Sequence, residues 1–204
     1  MTVLDEVAEL DALFVQQEFS PLQNRYTIST VGPDGRAGRP LVHVRQKRLK
    51  IREQIDFYAD AAQTSPVLRL RARKVFEFRG RTDVLLPDGT VIGQLQKVFG
   101  ASLVSSTWQV LDAGGAVVAT ARESSMFIAV LRRGWGFIPV VGDVPFLLPF
   151  HFDITVDGRR VGQYRRIAAL RDRYVLDLSG DSERRIDRRV AMAFTVALDA
   201  LQDR

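Results

Sequence analysis

The chain is predicted to be mainly β: a closed antiparallel barrel of ten to twelve strands threaded by one apolar helix near its end. Three observations lead there. From Leu13 onward short alternating runs replace helical periodicity, a strand–turn–strand unit recurs three times, and the last long segment is a helix without a polar side. A helix that is apolar all round must be surrounded, either by lipid or by protein.

Residues 3–12 carry apolar side chains at 3, 4, 7, 8 and 10 among four acids, which predicts a short amphipathic helix over 2–12 lying on something. Strand-like runs follow at Phe14–Phe19 and Tyr26–Ser29. Gly32–Gly38 reads as a loop by composition, and Leu41–Arg45 resumes the strand pattern. Arg45, Lys47, Arg48, Lys50 and Arg52 then place five cations in eight residues, before a helical turn and short strand over 52–60. Over Val67–Lys74 the alternation is strict. Leu68, Leu70 and Ala72 share one face while Arg69, Arg71 and Arg73 share the other, as in a half-buried strand.

The repeat begins at Thr82. Thr82–Lys97 reads strand, Asp88-Gly89 turn, strand; Thr107–Glu123 is the same unit with a slightly longer turn after Asp112; Phe152–Arg166 is the unit again around Asp157-Gly158. Asp-Gly supplies the positive φ that a tight hairpin needs. Gly93 and Gly162 each sit four residues past a turn glycine, where a missing side chain allows a bend or a close approach. With the earlier strands and Tyr174–Leu178, the spacing fits a sandwich or a barrel.

Residues 134–150 are apolar but hold Pro139, Pro145, Pro149, Gly136 and Gly142, which would break a spanning helix. They are expected to be a loop with short strands over one end of the core. Trp135, Phe137, Phe146 and Leu147 are their candidates for membrane or partner contact, including self-association.

The helix is expected over 182–201. Val190, Met192, Phe194, Val196, Leu198 and Leu201 point in nearly every direction, and only Thr195 and Asp199 interrupt them. The apolar run is about 18 Å long, whereas a span needs about 20 residues. Arg184, Arg185, Arg188 and Arg189 precede it directly. Burial inside the sheet is the remaining solution, and closing that sheet also removes its edges. No linker or composition break divides the chain, so one domain over 1–204 is expected.

The order of several segments resembles the LURP-one-related family, a relative of the phospholipid scramblases within the tubby C-terminal-like superfamily. They are Phe14–Ser20, Tyr26–Ile28, Ile55–Asp60, Arg71–Lys74, the Asp88–Gly93 hairpin and Asp187-Arg-Arg-Val-Ala-Met-Ala continuing to Asp199. The resemblance runs from about Leu13 to Leu201 and implies a twelve-stranded barrel around a buried C-terminal helix. Tubby-type relatives are associated with phosphoinositides and scramblases with lipid membranes. The calcium-loop pattern and cysteine-rich segment of scramblases are missing here.

Composition and motifs narrow the chemistry. The 204 residues are 46% hydrophobic and 26% charged, as in an ordinary globular protein. Within the net charge of +5, the first 13 residues hold −4 and the rest +9, which favours an anionic partner. The chain has no Cys, which excludes disulfides and thiolate sites and fits a cytoplasmic protein, peripheral to the membrane if it binds lipid. The acidic N-terminal stretch shows no signal-peptide pattern. His43 and His151 lie far apart, and no zinc motif, nucleophile elbow, dinucleotide fingerprint or phosphate loop is present. Asp88, Asp112 and Asp157 are turn residues. No enzyme activity and no cofactor is therefore expected, and no helix-turn-helix or RNA signature supports nucleic acid. What remains is cationic: Arg45, Lys47, Arg48, Lys50, Arg52, Arg69, Arg71, Arg73 and Lys74 form one patch if their strands are neighbours. Such a patch suits anionic lipid headgroups or another phosphorylated ligand.

Overall fold

In the computed structural model, which describes residues 1–18, 23–47, 54–73, 80–98, 106–123, 151–168 and 173–202, helix α1 (Val3–Glu9) precedes the first strand. Strands β1 (Ala12–Glu18), β2 (Gln23–Val31), β3 (Ala37–Lys47), β4 (Gln54–Tyr58), β5 (Pro66–Ala72) and β6 (Arg81–Leu85) follow. Then come β7 (Val91–Val98), β8 (Thr107–Leu111), β9 (Val117–Glu123), β10 (His151–Val156), β11 (Arg159–Ala168), β12 (Arg173–Asp177) and helix α2 (Arg188–Gln202). Every strand pairs antiparallel with its neighbours in sequence, and β1 pairs with β12. The result is a closed twelve-stranded barrel, which leaves no sheet edge to protect.

The hairpins are built as their turn residues require. Asp157 and Gly158 have φ of 49° and 79°, the two left-handed residues of a two-residue turn. In the 86–90 turn only Gly89 is left-handed, and the Asp88 carboxylate accepts the Thr90 N–H at 2.9 Å. The segment expected as a plain loop, 32–38, holds a fourth turn of this kind. Gly32 N–H donates to Arg36 O, Gly35 is left-handed, and Pro33-Asp34-Gly35 repeats Pro87-Asp88-Gly89. The hairpin glycines mark close approaches. A Cβ at Gly93 would lie 2.6 Å from Cγ2 of Val190, so β7 touches the helix there. At Gly162 it would lie 2.3 Å from the Asp177 carbonyl of β12.

Helix α2 fills the barrel. All residues from Val190 to Leu198 are buried, as the apolar surface demanded. Trp108 meets Phe194 edge-on at 6.3 Å between ring centroids, and the Tyr164 hydroxyl donates to Thr195 O at 3.4 Å. Thr195 needs no outside partner, because its hydroxyl donates back to Met192 O at 2.8 Å. The side chain of Leu201 lies outside the described set. No described helix is long and apolar enough to cross a membrane.

Both helices are shorter than their patterns suggest. Helix α1 ends at Glu9, and β1 is under way by Ala12. Leu4 and Val7 of α1 enter the core, while Glu6 pairs with Arg39. Helix α2 begins at Arg188 and not at 182, because Asp181 takes the N–H groups of Arg185 and Ile186, each at 3.0 Å. A short acidic side chain that bonds local backbone competes with helix. Asp187 then caps the true start by accepting the Arg189 N–H at 2.9 Å.

Candidate anion-binding face

Strand order makes the cationic segments neighbours. β3, β4 and β5 are adjacent, and Arg45 stands opposite Asp56, which stands opposite Arg69. Alternation puts Ile55, Phe57, Leu68 and Leu70 inside, so these charged residues share the outer face. Arg25 on β2 is the partner of Arg45 on its other side.

The face is an alternation of cations and buried carboxylates. Asp56 is 3% exposed and accepts Arg69 Nε at 2.7 Å and Gln54 Nε2 at 2.9 Å. Asp83, 5% exposed, accepts Arg73 Nε at 2.8 Å. Removing either arginine would strand a buried charge, so these pairs are structural in part. Both arginines are held through Nε alone. Their terminal nitrogens make no hydrogen bond among the described residues, and that edge of a guanidinium is the one that grips phosphate bidentately. Arg45 lies against Tyr58, 5.5 Å from the ring centroid, with Nη2 donating to the hydroxyl at 3.1 Å. Its Nε is buried without a partner. Arg71, opposite Gln54 and Asp83, is exposed and makes no ion pair among the described residues.

Four of the nine expected cations, Arg45, Arg69, Arg71 and Arg73, are thus on one face. Lys47 ends β3 with its side chain outside the described set, and Arg48, Lys50, Arg52 and Lys74 lie outside the described residues altogether. So do Trp135, Phe137, Phe146 and Leu147. The acids Asp56 and Asp83 escape a reading by composition, because only register reveals that Asp56 sits between Arg45 and Arg69 and that Asp83 stands opposite Arg71.

The described histidines and turn aspartates have local partners. His43 Nδ1 is 3.5 Å from Thr27 Oγ1, whose hydroxyl donates to Glu18 at 2.8 Å. His151 shares Asp153 with Arg160 in a surface cluster. Asp88 and Asp112 accept backbone N–H groups of their own turns, and Asp157 pairs with Arg185 at 3.3 Å. The Thr90 N–H holds the Asp88 carboxyl below its ordinary value. No group of three or more metal-ligating side chains occurs among the described residues.

A family profile described as LURP-one-related matches residues 41–199, from within β3 to within α2, and so takes in both the cationic strands and the core helix. The comparison with curated proteins finds no match.

Proposed function

The chain belongs to the LURP-one-related family, and from that premise we propose that it is a non-enzymatic binding module whose cationic outer face docks the headgroups of anionic phospholipids. The observation that carries the reading is the set of arginine edges left open, among the described residues, on β5 and just after it. Arg69 and Arg73 are anchored through Nε while their outer nitrogens make no hydrogen bond among the described residues, and Arg71 beside them makes no ion pair there. Anchored guanidiniums lose less side-chain entropy on binding than free ones, which favours a surface of this kind over a mere solubilising one.

Helix α2 belongs to the core and is not offered to lipid, so scrambling through that helix forms no part of the proposal. An adaptor that self-associates through 134–150 is the alternative. It draws on no described residue, and light scattering on Trp135→Ser and Phe146→Ser decides it.

Vesicle flotation tests the main reading. Binding to phosphatidylserine-containing vesicles at low salt, fading with added salt, is expected, with about 1 kcal/mol lost per arginine removed. A free inositol phosphate that competes equally well would point to a phosphorylated ligand in solution. Equal flotation with neutral and anionic vesicles would refute charge-driven docking.

A further inference from the structure

The charge of the barrel is polarised along its axis. All five described hairpin turns, helix α1 and the entry to α2 gather at one rim. That rim comprises residues 1–11, 31–40, 59–67, 86–91, 112–117, 157–160 and 177–189, with thirteen carboxylates against eight Lys and Arg. The remaining described residues hold twelve Lys and Arg against six carboxylates. The cause is turn chemistry. Asp is favoured where a side chain must accept a turn N–H, so Asp34, Asp60, Asp88 and Asp112 are all delivered to the same end.

The cations of the other half encircle the barrel. In a closed ring of twelve strands, β9 lies diametrically across from β3 and β11 across from β5. Arg122 on β9 and Arg165 on β11 are exposed and lie on the outer face. Arg122 stands opposite Thr107 and Asp153, and Arg165 opposite His151 and Val175. They therefore lie on the far side from Arg45 and Arg71, yet in the same half of the barrel along its axis. A flat bilayer against the β3–β5 face would leave them pointing away from it.

We propose that the barrel docks end-on, presenting the half opposite α1 to an anionic bilayer, with Arg122 and Arg165 sharing the contact with Arg45 and Arg71. This rests on the lipid-docking reading above and fixes its geometry. An anionic surface attracts one end of such a molecule and repels the other, so orientation follows from the fold before any specific contact forms.

The test uses the whole 204-residue chain and vesicles of phosphatidylcholine with about 30% phosphatidylserine, an anionic surface of the kind that attracts clustered cations. The double variant Arg122→Gln, Arg165→Gln is compared with Arg25→Gln, Arg71→Gln. Each removed cation lowers partitioning about fivefold, so end-on docking predicts about a twentyfold loss or more from either pair. A far-side pair that binds like the wild type, while the near-side pair loses binding, overturns the end-on geometry and leaves the lipid reading intact. A wild type that does not bind overturns both. The chain has no cysteine, so single labels report orientation directly. A fluorophore at Thr107→Cys is expected to be quenched by brominated lipid and one at Thr90→Cys is not. Equal quenching at both sites also overturns the proposal.

Discussion

Arg188 and Asp181 lie 2.5 Å apart, Nη1 to Oδ2, with their side chains 3% and 2% exposed. The guanidinium also reaches Asp11 Oδ1 at 2.9 Å and the carbonyls of Ile186 and Leu178, so one side chain ties the start of α2 to the start of β1 and the end of β12. The first turn of α2 carries Arg188 and Arg189 and no acid, which opposes the helix dipole. Asp181 and Asp187 supply the compensating charge. Arg188→Ala is expected to cost about 3–5 kcal/mol in urea unfolding, because it leaves a buried carboxylate unpaired. Arg188→Met combined with Asp181→Asn should cost less than the two single changes together. Strict additivity would show that the pair is not coupled.

The same carboxylates predict acid sensitivity. Burial pushes the Asp181 carboxyl up, but the Arg188 hydrogen bond and the Ile186 and Arg185 N–H groups outweigh it and hold it low. Asp187 is likewise held low, with burial opposed by Arg189 and the backbone. A depressed folded pKa stabilises fully above the ordinary Asp value of about 3.9 and ceases to as pH falls through the folded value. Melting temperature should therefore be flat toward neutrality and fall below about pH 4. Asp181→Asn should lower the whole curve and flatten its acid limb; an unchanged limb counts against the assignment.

Gly93 and Gly162 should respond differently to alanine. At Gly93 the added Cβ meets Val190 Cγ2 at 2.6 Å and Leu111 O at 3.0 Å, so overpacking of about 1–3 kcal/mol is expected, partly relieved by Val190→Ala. At Gly162 the obstacle is the Asp177 carbonyl itself, which no side-chain change removes. Denaturation of Gly93→Ala with and without Val190→Ala checks this, and no relief would place the strain elsewhere.

Phe194 sits at the centre of α2, 1% exposed and against Trp108. Phe194→Ala should cost about 3–5 kcal/mol, and Phe194→Asp should prevent folding outright. A folded Phe194→Asp protein by circular dichroism would mean that the helix is not the core.

Much of this was readable in the order of residues. Strand periodicity, turn chemistry and side-chain volume act over a few neighbours, so the Asp-Gly hairpins, the alternation of Leu68 and Leu70 with Arg69 and Arg71, and the apolar surface of Val190–Leu198 follow from local rules. Even the pairing of these strands with their neighbours follows from short connections. Boundaries were less legible: the Asp181 turn borrows backbone groups that a propensity argument assigns to helix.

Sequence alone determined that this chain needs a closed sheet around its terminal helix, because an apolar cylinder too short for a bilayer has no other surroundings. Tertiary structure alone decided the character of the surface. That Arg45 faces Arg25 on one side and Asp56 on the other, that Arg69 is anchored, and on which side of the barrel Arg122 lies are matters of register and ring position. Register joins residues far apart in the chain. Since electrostatic energy depends on distance through space and on burial, the same list of charges becomes a cationic half and an acidic rim only once the barrel has closed.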